Sequence, residues 1–199
     1  MITRRALGSG LYVAGAGLLL YSAATLVRGA LAADKARSEW AQLEAQQAVS
    51  DAGASFAVRA GPTFVAGAPV ARLIIPRIGL DEIVVEGVHG TALNAGPGHL
   101  PGSAFPGELG NAVVSAHRDR HFSNLDRITL GDTVVTETLA GRVTWVVSSR
   151  RIIGRGMPAL YDTPTAVLTL TTCWPVRYFG SAPDRLLIVA NPVERTPRA

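Results

Sequence analysis

The sequence is poor in cysteine, lysine and charge. Cys173 is the only cysteine and Lys35 the only lysine among 199 residues, so an internal disulfide is excluded. Charged residues make up only 17% of the chain and hydrophobic residues 48%, which excludes a disordered chain and supplies enough apolar material for a core. The formal net charge of +4 comes almost entirely from arginine. No basic stripe with interleaved aromatic residues is present, so the sequence predicts no nucleic-acid partner.

An uncharged, mostly apolar run extends from Ala6 to Val27, directly after Arg4 and Arg5. It is long enough to cross a bilayer, which takes about 20 residues, and the preceding arginines favour an N-terminus inside the cell. The sequence therefore predicts a single-pass anchor in the cell membrane, with the rest of the chain extracytoplasmic. Two alternatives stay open. One is a cleaved signal peptide ending in the small-residue stretch Ala30–Ala33; the other is a buried core helix, which is disfavoured because the run is apolar on every face.

The remaining chain changes from a helical to a strand pattern. Residues 34–49 contain helix formers with Trp40 and Leu43 at helical spacing, and 51–69 is rich in Ala and Gly without a clear period. Residues 91–109 are rich in Gly and Pro and are predicted mostly as loop; 122–128 is predicted as a short helix. The predicted strands are 72–75, 83–86, 111–116, 133–139, 142–149, 166–172 and 185–190. Short strands at this spacing indicate a sandwich or a closed barrel.

Cys173 lies at the end of a β-type run. The run begins at Thr169, and Pro175 ends it two residues after the cysteine. A thiol at a strand end can point into a cleft while the strand fixes its position, and its thiolate form is a nucleophile when a cation or base is nearby. The alternative is a buried cysteine that behaves as a small hydrophobic side chain.

Two further strand ends carry groups that suit such a thiol. His117 follows the apolar strand 113–116, and histidine can act as acid and base near neutral pH. Arg185 opens the last predicted strand, and its fork of N–H donors can stabilise an oxyanion. Taken alone, His117 is better explained as a surface or structural histidine, and Arg185 as a solvated arginine at a strand edge. Together with Cys173 they predict a catalytic site.

These residues resemble the sortases, which are cysteine transpeptidases of bacterial cell envelopes. The segment Thr169-Leu170-Thr171-Thr172-Cys173 meets the family signature Thr-Leu-x-Thr-Cys in full. His117 and Arg185 fall where the family has its catalytic histidine and arginine. The segments 73–80, 96–99 and 110–118 look like its opening strand and the lead-in to its histidine. The resemblance covers Val70 to Pro192, and it is greatest to class D or related sortases of Gram-negative bacteria.

The resemblance implies an all-β fold, an eight-stranded closed β-barrel with short helices, preceded here by the N-terminal transmembrane helix. It implies that Cys173 attacks the Thr carbonyl of a sorting signal such as Leu-Pro-x-Thr-Gly or Leu-Pro-x-Thr-Ala. Arg185 would support the oxyanion, and His117 would protonate the departing amine. An amine from a peptidoglycan precursor or a pilin lysine would then resolve the thioacyl enzyme. The partners are thus exported proteins that carry sorting signals, and an amine acceptor; no cofactor and no metal are expected.

Further candidates for substrate contact surround the three catalytic candidates: Thr172, Trp174, His99 and Ala116. Thr172 could equally fill a β position, Trp174 could be a core residue, and His99 could be an exposed loop histidine. The expected segments are a cytoplasmic N-region at 1–5, a transmembrane signal anchor at 6–28, a juxtamembrane helix at 29–50, a linker at 51–69, the sortase catalytic domain at 70–193 and a tail at 194–199.

Two rival interpretations remain. A hydrolytic cysteine peptidase of the envelope would use the same Cys173 and His117 but would release an acid instead of transferring the acyl group to an amine. A non-catalytic, membrane-anchored β-barrel scaffold would bury Cys173, and its thiol would then resist alkylation.

Overall fold

The computed structural model describes the backbone of residues 2–51, 65–159 and 161–197, and the side chains of 11–48, 65–159 and 161–197. The predicted linker falls largely on residues 52–64, which lie outside the described residues.

One long helix, α1 (Ile2–Asp51), forms the N-terminal part of the chain. It joins the predicted anchor and the predicted juxtamembrane helix without a break. Among the described residues, its portion Leu11–Ala48 is long and apolar enough to cross a membrane, with a mean hydropathy of 1.4 over its most apolar window. Only 6% of that window is buried inside the protein, which argues against the alternative of a buried core helix.

Eight strands form a closed barrel. Their order around the barrel is β1-β2-β3-β4-β7-β8-β6-β5, and β5 pairs back onto β1. The strands are β1 (Pro69–Ile75), β2 (Leu80–Glu86), β3 (Gly98–His99), β4 (Asn111–Ser115), β5 (Thr133–Thr138), β6 (Gly141–Gly154), β7 (Val167–Trp174) and β8 (Asp184–Pro197). Closure gives every strand a neighbour on both sides, so the sheet has no edge strand, although the ends of β6 and β8 extend beyond their second neighbour. Of the two architectures that the strand pattern left open, the barrel is therefore the observed one.

Three short helical pieces interrupt the barrel: the 3₁₀ turns Pro76–Ile78 and Leu125–Arg127, and the helix α2 (Gly90–Ala95). The helix predicted over 122–128 is thus reduced to one 3₁₀ turn. The segment 91–109, predicted mostly as loop, contains all of α2 except its first residue and the two-residue strand β3. Strand β8 continues to Pro197 because β6 continues as its partner, with Gly141 opposite Pro197.

The barrel interior is filled by side chains from all the longer strands. Trp145 is the largest fully buried side chain, and its indole N–H donates to the hydroxyl of Thr136 at 2.8 Å. A buried indole needs such a partner because an unpaired N–H is costly away from water. Phe122, which is 0% exposed, closes one side of this core from the connection after β4.

Helix α1 packs against the outside of the barrel just beyond its apolar run. Ala36 and Trp40 form a second buried cluster with Ile83 and Val85 of β2 and with Ala92 of α2. This contact places β2 and α2 next to the part of α1 that directly follows the predicted span.

The neighbouring strands β8 and β6 each carry an isoleucine, one buried and one exposed, and this pair tests which side chains form the core. Ile188 is 0% exposed and Ile152, on the neighbouring strand β6, is 48% exposed. We expect Ile188→Ala to lower the free energy of unfolding by about 2–5 kcal/mol, because it leaves a cavity. The matched control Ile152→Ala should lower it by less than about 1 kcal/mol. Urea unfolding of the detergent-solubilised chain, followed by tryptophan fluorescence, measures both; equal losses would contradict this description of the core.

Candidate active site

Cys173 lies next to the end of β7, is half-buried and is a free thiol. In the antiparallel pairing of β7 with β8 it stands directly opposite Arg185. Residues opposite each other on antiparallel strands have Cβ atoms about 4.5–5.5 Å apart. The sheet register therefore brings a thiol and a guanidinium to the same end of the barrel.

His117 reaches the same place from β4. Strands β4 and β7 are parallel, with Ser115 opposite Thr171. Beyond that pair, the backbone N–H of Ala116 donates to Thr171 O at 3.2 Å. The Thr172 hydroxyl donates to Ala116 O at 2.7 Å. His117 directly follows Ala116 at the end of β4, and Cys173 directly follows Thr172 in β7. Because Arg185 of β8 stands opposite Cys173, the three catalytic candidates lie at neighbouring ends of three strands.

The Arg185 guanidinium is half-buried and retains unused donors. Its Nη1 donates a hydrogen bond to the carbonyl of Asp184 at 3.1 Å. Among the described residues, no carboxylate lies within ion-pair distance of it. A guanidinium without an internal counter-charge beside a thiol can donate to an anion that develops there.

Arg118 fixes the loop that follows Cys173. Its Nη1 donates to the carbonyl of Pro175 at 3.0 Å and its Nη2 to that of Gly180 at 2.6 Å. Its guanidinium also lies 5.7 Å from the ring centroid of Tyr178. The residue next to His117 therefore holds the connection between β7 and β8. This role of Arg118 is not predicted from the sequence, where its position next to His117 is the only signal.

Trp174 is half-buried and packs partly against the barrel core. The guanidinium of Arg150, on β6, lies 5.3 Å from its ring centroid, within the range of a cation–π contact. Trp174 is therefore neither a fully enclosed core residue nor a free groove wall.

Thr172 and Ala116 are 1% and 4% exposed. The hydrogen bond between them joins β7 to the end of β4, and it uses the hydroxyl of Thr172. Their side chains offer almost no surface to a ligand in this structure, so a contact with substrate would have to come through the backbone.

His99 is not in an exposed loop; that expectation is wrong. It lies in β3 and is 1% exposed. Its Nδ1 is 2.7 Å from Glu86 Oε2, and its Nε2 is 3.0 Å from Ala104 O and 2.9 Å from Ser103 Oγ. The ring stacks on Phe105 at a centroid distance of 4.6 Å. A side chain with so little surface does not line a groove here; it joins β3 to the segment that precedes β4.

Two cavities stand out in the described part of the chain, and neither is lined by the catalytic candidates. One of about 650 Å³ lies beside Ser148 and Arg150, and one of about 620 Å³ lies between α1 and the barrel. Cavity size alone would therefore point away from the thiol. The strand-end geometry is the better guide, since it brings a thiol, an imidazole and a guanidinium to neighbouring strand ends.

The sequence of this chain is similar to one known protein family. A family model described as the sortase domain matches residues 73–193. The chain is 32% identical over 123 residues to sortase D of Bacillus subtilis (strain 168), covering 61% of this chain and 62% of that protein. It is 30% identical over 171 residues to sortase SrtE2 of Streptomyces coelicolor, covering 72% of this chain and 62% of that protein. The chain thus spans 62% of the length of each of these relatives.

Among solved structures, a sortase D5 transpeptidase of Clostridium perfringens is similar with a TM-score of 0.65 and 18% identity. The alignment covers 84% of this chain and 99% of that one. At this identity the likeness concerns the fold, and it confirms the predicted sortase-like barrel.

The buried pair of Glu86 and His99 generates a stability prediction. Glu86→Ala would leave His99 Nδ1 buried without its partner, so we expect the free energy of unfolding to fall by about 1–3 kcal/mol. Glu194, an exposed carboxylate on β8, provides the control: Glu194→Ala should change that free energy by less than about 0.5 kcal/mol. Urea unfolding compares the two variants, and an effect of Glu86→Ala as small as the control would refute the structural role of the pair.

Proposed function

The chain belongs to the sortase family, and we propose that it is a cysteine transpeptidase of the cell envelope. Its substrates are proteins with a sorting signal of the Leu-Pro-x-Thr-Gly or Leu-Pro-x-Thr-Ala type, cleaved after the Thr. The observation that carries the proposal is the register that sets Cys173 opposite Arg185, with His117 at the adjoining strand end.

The first half-reaction forms a thioester. The Cys173 thiol gives its proton to His117 and its sulfur attacks the carbonyl carbon of the Thr, so a C–S bond forms and the carbonyl oxygen takes the negative charge. Arg185, whose donors face no carboxylate among the described residues, donates to this oxyanion. When the tetrahedral intermediate collapses, the C–N bond breaks and His117 supplies the proton that the departing amine needs.

The second half-reaction is the reverse sequence with a new amine. The amine attacks the thioester carbonyl and gives up a proton to His117, and the Cys173 thiolate leaves. The thioester conserves the reactivity of the acyl group, so a new amide forms without another energy source. The acceptor is an amine of the cell envelope, either on a peptidoglycan precursor or on a pilin lysine.

Helix α1 supports an envelope location. Its apolar, exposed portion fits a single-pass anchor, and Arg4 and Arg5 precede that portion and favour a cytoplasmic N-terminus. The barrel would then lie outside the cytoplasm at the membrane surface, where exported proteins pass.

Thr172 and Arg118 are positioning residues in this proposal. The hydroxyl of Thr172 holds β7 to the end of β4, one residue from both Cys173 and His117. Arg118 holds the loop after Cys173 at two carbonyls. Neither has to touch the substrate to affect the rate, because a small displacement of reacting groups is costly.

The first test uses the full chain in detergent with Leu-Pro-x-Thr-Gly and Leu-Pro-x-Thr-Ala peptides, with and without an amine acceptor. Mass spectrometry follows the products and the enzyme mass. We expect an adduct on Cys173 and an amine-dependent ligated product, both absent in Cys173→Ala.

In the same assay, Arg185→Ala should lower the rate by about 100-fold or more, since an oxyanion donor is lost. Arg195→Ala provides the control: this arginine is also on β8 and donates to a carbonyl, that of Gly107, so the rate should stay within about twofold.

Other outcomes of this test have definite meanings. Acid product alone, still dependent on Cys173, would replace the transpeptidase by the hydrolytic peptidase. No adduct with either peptide, together with a thiol that resists alkylation, would leave the non-catalytic scaffold.

The positioning role of Thr172 can be separated from a general loss of stability. Thr172→Val and Thr169→Val each delete one buried hydroxyl of β7; Thr169 donates to Asn111 Oδ1 at 2.8 Å. Both should lower the free energy of unfolding by about 1–3 kcal/mol. Only Thr172→Val should lower kcat, by about tenfold, because only that bond adjoins Cys173 and His117. Equal kcat values for the two variants would mean that Thr172 is merely structural.

A further inference from the structure

A cavity of about 620 Å³ separates α1 from the barrel. Small residues of α1 open it on one side, namely Gly29, Ala30 and Ala33, with Leu26 below them and Arg37 above. On the barrel side it is lined by the start of β2, by Asn94 and by the turn that follows His117, including Arg120 and His121.

The cavity begins where the predicted span ends. The apolar run stops at Val27, and a helix rises about 1.5 Å per residue. If α1 stands upright in a bilayer, Gly29 to Ala33 lie about 3–9 Å beyond the hydrocarbon edge. The headgroup layer on each side is about 5–7 Å thick, so Gly29 and Ala30 are at headgroup depth and Ala33 lies just beyond it.

Two carboxylates also line the cavity, and both are already neutralised. Asp81 accepts two hydrogen bonds from Arg72, at 2.7 and 2.6 Å. The bond from Arg72 holds the pKa of Asp81 below its usual range. Glu82 is 2.9 Å from Arg37, and its Oε1 is 3.5 Å from His121 Nδ1. Burial raises the pKa of Glu82, but His121 and Arg37 outweigh it and leave that pKa lowered.

Arg120 is a cationic residue of the cavity that takes no part in these ion pairs. It is half-buried, and its Nη1 donates a long hydrogen bond to the carbonyl of Asn94 at 3.5 Å. No carboxylate of the described residues forms an ion pair with it. Its guanidinium lies against Gly29, where a methyl group on the helix would collide with it. A partly desolvated guanidinium without a counter-ion thus lies at the level of the headgroups.

His121, the neighbour of Arg120 along the chain, also lines the cavity. Its Nε2 is buried and has no hydrogen-bond partner among the described residues. Buried polar atoms are nearly always paired, so the turn that carries Arg120 also contains an unsatisfied group.

We propose that this cavity binds the phosphate of an anionic phospholipid headgroup. Arg120 supplies the forked donor that matches a phosphate, and His121 lines the same cavity. Gly29, Ala30 and Ala33 leave room for the headgroup beside the helix. The attraction of a basic group for anionic lipid adds about 1 kcal/mol per residue near the surface. The proposal rests on the membrane anchoring proposed above.

A lipid bound in this cavity would hold the barrel against the membrane at a point close to the strand ends that carry the catalytic candidates. The backbone N–H of Arg120 donates to the carbonyl of His117 at 3.3 Å, so the residue that holds the phosphate belongs to the turn that follows the candidate acid–base group. The lipid acts here as a structural ligand and takes no part in the chemical steps.

The test is native mass spectrometry of the full chain, reconstituted in nanodiscs of phosphatidylglycerol or of phosphatidylcholine. The wild type should retain phosphatidylglycerol at least about tenfold more than phosphatidylcholine, and Arg120→Gln should lose that preference. Arg127→Gln is the matched control: it removes an exposed arginine from the 3₁₀ turn that follows and should keep the preference. Ala33→Leu, which fills the cavity and leaves the charge unchanged, should lose the preference as Arg120→Gln does.

Several results would overturn the proposal. Equal retention of the two lipids, or unchanged retention in both Arg120→Gln and Ala33→Leu, would show that the cavity is not a lipid site. Full displacement by millimolar inorganic phosphate would show that it takes a free anion instead. Stable incorporation of every variant into phosphatidylcholine nanodiscs separates this failure from a failure of anchoring; a chain that enters neither bilayer would refute the anchor and the lipid site together.

Discussion

The register of β7 against its two neighbours is the constraint on which the candidate site depends. In a sheet, a shift of one residue turns every side chain to the opposite face. Here the ladder with β8 sets Cys173 opposite Arg185, and the ladder with β4 brings Ala116 beside Thr171 and Thr172. Because the barrel is closed, none of these strands can slip without breaking pairs all the way round. The positions of the reactive groups are therefore a property of the whole barrel.

Buried polar groups reinforce this register from inside. The indole of Trp145 bonds to Thr136 across β5 and β6, and Thr169 bonds to Asn111 across β4 and β7. Each such bond is worth only about 1 kcal/mol net, but leaving one partner unpaired costs more. In a barrel with a shifted register these polar groups would be buried without a hydrogen-bond partner. They therefore destabilise the shifted registers more than they stabilise the native one.

The sequence predicted the fold class and most of the strands because their patterns are local. Strand 142–149 alternates visibly, and its neighbours are bounded by Gly or Pro. What it missed depends on contacts that are distant along the chain. Strand β3 has only two residues and exists through its pairing with β2 and β4. The burial of His99 depends on Glu86, a strand away, and the role of Arg118 on carbonyls 57 and 62 residues later. The catalytic roles of Cys173, His117 and Arg185 remain predictions from chemistry and placement.

The packing of α1 against the barrel sets the distance between the barrel and the end of the apolar run. Trp40 is buried against β2 and α2, and it lies 13 residues after Val27 on one unbroken helix. At about 1.5 Å per residue this contact is about 20 Å from the end of the apolar run. If α1 is the membrane anchor proposed above, this contact holds the barrel at a fixed distance from the bilayer. A substrate that is itself still held in the same membrane would then have to reach the strand ends across a fixed gap, at roughly 3.3 Å per extended residue. The number of residues between the membrane segment of a substrate and its cleaved bond would therefore decide whether that bond can be reached.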